Sequence, residues 1–157
     1  RKNRTPIDNG YSMQKWWFDA EGKLVDRQLF TAQQGQLFTV VLQIKKTLFN
    51  QEGDLLVTDL LPAGFEIEDD VISPPSLSRV GIFKESDMKP DYQANMDDRF
   101  VAHFEDRWYS NEKALLKYVV RAVYTGEVQI GGAHIEHMYA PEINGRSGST
   151  RALVIER

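Results

Sequence analysis

Three runs of the chain repeat with a period of two. Between residues 37 and 45, Phe38, Val40, Leu42 and Ile44 fall on one side while Thr39, Gln43 and Lys45 fall on the other. Leu116, Tyr118, Val120, Ala122 and Tyr124 share a side opposite Lys117 and Arg121, and Phe100, Ala102 and Phe104 alternate with Val101, His103 and Glu105. Extended backbone sends successive side chains to opposite faces, whereas a helix would scatter these residues around its circumference. Strands with one apolar face are the habit of antiparallel sheets.

Turn residues separate the runs. Asp19-Ala20-Glu21-Gly22-Lys23 lies between two apolar stretches and predicts a hairpin joining residues 13–18 to 24–30. Pro62-Ala63-Gly64 ends the strand over 55–61, since proline has no N–H for the ladder and glycine accepts positive φ. Thr125-Gly126-Glu127 and Gly131-Gly132 punctuate the later part, and residues 152–156 close the chain as a short strand. Two stretches do not alternate: 72–78, with Pro74-Pro75, reads as a loop, and the polar 86–99 predicts one short helix. Many short strands between turns predict an all-β, antiparallel β-sandwich in a single domain over 1–157. Residues 1–11 read as a linker or the tail of a preceding domain.

Three Trp, six Tyr and eight Phe supply apolar area that a folded core must hide, which excludes a disordered chain. A net charge of −4 argues against a nucleic-acid partner held by a broad basic surface. No apolar run approaches the length of a membrane-spanning helix. Cysteine is absent, so this stretch holds no disulfide, thiolate metal site or cysteine nucleophile. The chain opens Arg1-Lys2-Asn3-Arg4 with neither initiator Met nor apolar leader, and reads as a piece of something longer.

Candidate chemistry is sparse. His134 and His137 are three apart, a metal-ligand spacing on a helix, but the glycines before them and Pro141 after them favour a strand, where the two rings point to opposite faces. Asp97-Asp98-Arg99 and the acids of 66–70 lack the calcium-loop spacing, and read as a local Asp–Arg turn and a solvated surface. Gly145-Arg146-Ser147-Gly148-Ser149 is neither a nucleophile elbow nor a phosphate loop, and reads as a flexible loop before the last strand. Adjacent Trp16 and Trp17 face opposite ways, one toward the core and the other toward a rim or neighbour. No cofactor and no metal site are expected, and no enzyme activity.

Four strings in order carry a resemblance. Asp59-Leu60-Leu61-Pro62-Ala63-Gly64-Phe65-Glu66-Ile67-Glu68, Asp97-Asp98-Arg99-Phe100-Val101-Ala102, Tyr118-Val119-Val120-Arg121-Ala122-Val123-Tyr124-Thr125-Gly126 and Glu136-His137-Met138-Tyr139-Ala140-Pro141-Glu142 resemble blocks of the C-terminal domain of bacterial alpha-2-macroglobulins. The resemblance runs from about residue 13 to the end. It implies a macroglobulin-type sandwich, like the receptor-binding domain of the eukaryotic relatives, at the end of a large protease-trapping protein of bacterial defence. It implies a periplasmic, membrane-anchored lipoprotein as parent. It also implies partners: the parent's thioester-type domain, the proteases trapped through the parent, and a penicillin-binding protein of peptidoglycan synthesis. With no Cys here, any Cys–Gln thioester lies in another domain.

The family loop carried by Met138, Tyr139 and Pro141 faces the thioester domain in the uncut state. A thioether and a phenol ring supply an apolar cover, and Pro141 stiffens the loop. The competing reading is that Met138 and Tyr139 fill the end of the sandwich core. Two rivals differ in class: a free-standing carbohydrate-binding or adhesion module using Trp16 or Trp17, and a small hydrolase using His103, Asp97 or Glu136.

Overall fold

The computed structural model describes residues 5–47, 53–69, 90–106 and 113–157. The expected loop over 72–78 and residues 86–89 of the expected helix lie outside them.

In chain order the strands are β1 (Ile7–Asn9), β2 (Tyr11–Asp19), β3 (Leu29–Gln33), β4 (Leu37–Lys46), β5 (Gly53–Leu60), β6 (Phe65–Ile67), β7 (Tyr92–Asn95), β8 (Arg99–Asp106), β9 (Lys113–Ala122), β10 (Gly126–Ile130), β11 (His134–His137), β12 (Ala140–Arg146) and β13 (Thr150–Ile155). They form a six-stranded sheet ordered β1-β12-β11-β5-β8-β7, a four-stranded sheet ordered β2-β4-β9-β6, and a three-stranded sheet ordered β10-β13-β3. The all-β, sandwich-like architecture agrees with the alternation. The pairings are antiparallel except β13 with β3, which run parallel.

The three sheets enclose one core. Val40 and Leu42 of β4 and Leu116 and Val120 of β9 face Leu55 and Val57 of β5, Phe100 and Phe104 of β8 and Ile135 of β11, with Phe30, Ile130 and Val154 from the third sheet. Trp17 sits among Phe30, Phe38 and Phe65, its ring centroid 5.3–5.7 Å from theirs in tilted or edge-on geometry, which suits the aromatic quadrupoles. Trp16 points the other way and joins Phe18, Val41 and Leu115 in a second, smaller cluster. That cluster explains why β4 is buried on both faces, Thr39 and Gln43 included, where the alternation predicts a wet face.

Four local expectations are corrected. The turn at Asp19 forms, its carboxylate accepting from the backbone N–H groups of Glu21 and Lys23, but β2 and the following strand part instead of pairing as a hairpin. β2 joins β4, and β3 joins β13 in another sheet, leaving a single bridge between Phe18 and Leu24. Local turn chemistry is satisfied while the core aromatics choose the partners. No helix occurs among the described residues of 86–99: Tyr92–Asn95 is β7, drawn onto the otherwise free edge of β8. Gly145 and Arg146 belong to β12, and Ser147 is buried, its N–H bonded to the Ala133 carbonyl and its Oγ accepting from the Ala133 N–H, so this stretch is ordered pairing where a flexible loop is expected. Of residues 1–11, expected as a linker or the tail of a preceding domain, 7–9 are β1, paired with β12, and Tyr11 is fully buried in the core.

Candidate functional site

β11 and β12 form a hairpin whose turn is Met138-Tyr139, with His137 facing Ala140 across it. Its mounting can be followed residue by residue. β11 lies between β12 and β5, so the hairpin is held from both sides within the sheet. The Met138 N–H donates to the Asp54 carbonyl at 2.8 Å, tying the turn to the start of β5. His137 is buried and its imidazole lies against Gly53, which has a φ of +146°; a Cβ on that glycine would stand 2.4 Å from His137 Cε1. Gly53 is therefore required twice, for its backbone angle and for the space.

Pro141 is accommodated by a bulge. The register jumps from His137–Ala140 to Glu136–Asn144, so residues 141–143 of β12 bow out opposite one step of β11. A proline N lacks a ladder hydrogen, and a bulge is where a strand can tolerate that. The Asn144 side-chain amide staples the bulge by donating to the Pro141 carbonyl at 2.9 Å and toward that of Glu142 at 3.3 Å, while Asn9 of β1 donates to its Oδ1 at 3.2 Å. Ile143 returns to the core. Sequence reading misses Gly53 and Asn144; their one signal is being a glycine and an amide beside expected turns.

The result is a rigid mount with an apolar tip. Met138 is 45% and Tyr139 81% exposed, and Pro141 is exposed beside them. Neither Met138 nor Tyr139 fills the end of the core.

The other candidates are dispersed. His134 and His137 point to opposite faces as a strand requires, His134 Nδ1 lying 3.5 Å from Glu136 Oε1, and no cluster of three metal-ligating side chains occurs among the described residues. His103 stands between Asp54 at 3.2 Å and Asp91 at 3.8 Å, not beside Asp97 or Glu136. Leu56 of β5 separates Glu136 from His103 in the register, so the hydrolase set is not assembled. Asp98 and Arg99 form a two-bond pair at 3.0 Å, which lowers the Asp98 carboxyl and raises the Arg99 guanidinium from their ordinary values. Trp17 is inside the core and Trp16 is covered by the Arg27 guanidinium, 5.5 Å from its ring centroid, so neither presents the open ring face a sugar would stack on.

The family blocks have structural explanations. Asp59 and Tyr118, from two different blocks, meet in the core. Arg121 of the third block reaches Glu68 of the first and the Gly35 carbonyl.

Residues 10–142 match the family model described as the bacterial alpha-2-macroglobulin MG10 domain. The chain is 30% identical to the alpha-2-macroglobulin of Escherichia coli over 96% of its own length, and spans 9% of that relative. It is similar in structure to the native conformation of the E. coli protein, with a TM-score of 0.80 at 25% identity over 99% of this chain and 10% of the other. It is also similar to the trypsin-activated E. coli protein, with a TM-score of 0.72 at 26% identity over 96% of this chain and 11% of the other. The chain belongs to the bacterial alpha-2-macroglobulin MG10 domain family.

Proposed function

We propose that this domain is a non-catalytic docking latch of a bacterial alpha-2-macroglobulin, a broad-spectrum protease trap. Its Met138-Tyr139 tip packs against the parent's thioester-type domain in the uncut state. The observation that carries this reading is the exposed thioether–phenol pair on a turn braced by β5, β1 and the stapled bulge. An apolar group displayed on a stiff mount suits a cover that excludes water from a hydrolysable bond. A flexible loop would lose much of the contact energy to ordering.

The latch must release, so its contact belongs with intramolecular domain interfaces, which bury roughly 600–1,500 Å² and are rather polar. Cleavage of a bait segment removes a restraint, and the domain leaves as a rigid body. Likeness to both the native and the trypsin-activated E. coli proteins supports a fold that persists through the change. Family membership supports an envelope setting, which we take to be the periplasm with a lipoprotein parent.

Hydrogen exchange in the intact parent tests the latch. The 136–142 segment should exchange slowly before bait cleavage and faster after it. Equal exchange in the two states would overturn the docking.

A further inference from the structure

We propose that Lys15 and Asp59 are the precursor of an intramolecular amide bond, closed by loss of water between β2 and the facing β5. This site is separate from the Met138-Tyr139 tip and does not rest on the latch reading.

The reacting groups are already in contact. Lys15 Nζ lies 2.7 Å from Asp59 Oδ1, and the two side chains are 4% and 0% exposed. Asp59 Oδ2 accepts from the Tyr118 hydroxyl, and Lys15 Nζ donates also to the Gly131 carbonyl at 3.2 Å. The Tyr118 ring is held by stacking on Phe100, with 4.8 Å between centroids, and Phe100 is the register partner of Asp59. An amine, a carboxyl and a hydroxyl donor thus come from β2, β5 and β9 into one dry place. Holding two reactants in contact turns a bimolecular condensation into a unimolecular one, and excluding water suppresses the reverse hydrolysis.

Burial selects the reactive form. Two charges in a dry core are costly, whereas passing one proton from Nζ to Oδ1 leaves a neutral amine against a carboxylic acid. The amine lone pair then attacks Asp59 Cγ, and the carbonyl π pair moves onto Oδ2. The Tyr118 O–H already points at that oxygen and stabilises the developing charge as an oxyanion-hole donor does. Burial pushes this hydroxyl well above its ordinary 10.0, so it stays a donor at neutral pH. One proton passes from the nitrogen to the Oδ1 hydroxyl, the Cγ–Oδ1 bond breaks, water leaves and the carbonyl re-forms. Amine and acid become amide and water, with no oxidant and no co-reactant.

The product suits the site better than the ion pair. Its carbonyl oxygen, Oδ2, keeps the Tyr118 hydroxyl, its N–H keeps the Gly131 carbonyl, and no charge remains in the core. The freshly folded chain holds the ion pair, and the bond closes in the folded state with time.

Mass spectrometry of the chain, stored folded at neutral pH, tests this. The mass should fall below the sequence value by one water. A tryptic digest should yield a branched peptide joining residues 5–23 to 47–79, with the cut after Lys15 missing. Lys15→Arg keeps the cation without the amine and should hold the full sequence mass. Tyr118→Phe removes the oxyanion donor and should slow closure about a hundredfold. A stored wild-type chain that keeps its full mass and is cut after Lys15 would overturn the bond. Water lost at any other residue would overturn it too, and equal closure rates with and without the Tyr118 hydroxyl would overturn the mechanism.

Discussion

Lys15 and Asp59 form an ion pair inside the core: Nζ and Oδ1 are 2.7 Å apart, with side chains 4% and 0% exposed. The second Asp59 oxygen accepts from the Tyr118 hydroxyl, and Lys15 Nζ also donates to the Gly131 carbonyl at 3.2 Å. The pair thus ties β2 and β9 of one sheet to β5 of the facing sheet. A buried pair is tolerable when its remaining donors and acceptors are met, and removing one partner strands a charge in low dielectric. Asp59→Asn and Lys15→Met should each lower the unfolding free energy by about 3–5 kcal/mol, read from urea midpoints. Losses under about 1 kcal/mol would mean that water reaches the pair.

Tyr118 gives this network a pH signature. Burial pushes its hydroxyl well above the ordinary 10.0, and the charge and hydrogen bond of Asp59 push the same way. In the unfolded chain the phenol ionises near its ordinary value, so above that pH the unfolded state has released a proton that the folded state keeps. Stability from this group is whole below about pH 10 and declines as pH rises toward the folded value. Tyr118→Phe should flatten that decline, while costing about 1–3 kcal/mol at neutral pH by leaving Asp59 short of a donor. Urea midpoints of both chains between neutrality and pH 11 check this; parallel curves would refute it.

Much of the fold is written in the period-two runs, because a strand buried on one face must alternate whatever it pairs with. Partner choice is not written there. The Asp19 turn announces a hairpin and is built as one, yet β2 and β3 end in different sheets because Trp17, Phe30, Phe38 and Phe65 assemble only after distant strands meet. The tip was legible only through resemblance: nothing in Glu136-His137-Met138-Tyr139 says whether Met138 is core or surface until the register places the turn.

Gly145 illustrates a residue whose role the sequence disguises as flexibility. A Cβ there would lie 2.1 Å from the Tyr11 carbonyl oxygen and 2.9 Å from its carbon. Both are backbone atoms of a fully buried residue, so no side chain can swing aside to make room. Gly145→Ala should cost about 3 kcal/mol through overpacking where β12 crosses the start of β2. Gly126→Ala, with nothing within 4 Å but a φ of +136°, separates backbone strain from crowding and should cost less. Thermal or urea unfolding of the two variants would compare them directly.

The tip separates display from stability. Tyr139 buries little and Met138 about half of its surface, so Tyr139→Ser should change the unfolding free energy of this chain by no more than about 0.5 kcal/mol and Met138→Asp by about 1 kcal/mol. In the intact parent the same changes should shorten the life of a thioester, followed by thiol release, or loosen domain docking where no thioester exists. Asn144→Ala tests the mount instead of the contact surface: it removes the donor to the Pro141 and Glu142 carbonyls and should cost about 1 kcal/mol, with faster exchange through the bulge. If the tip acts by being held in place, Asn144→Ala weakens docking in the parent although Met138 and Tyr139 are untouched. Docking that survives both Met138→Asp and Asn144→Ala would place the contact elsewhere on the domain.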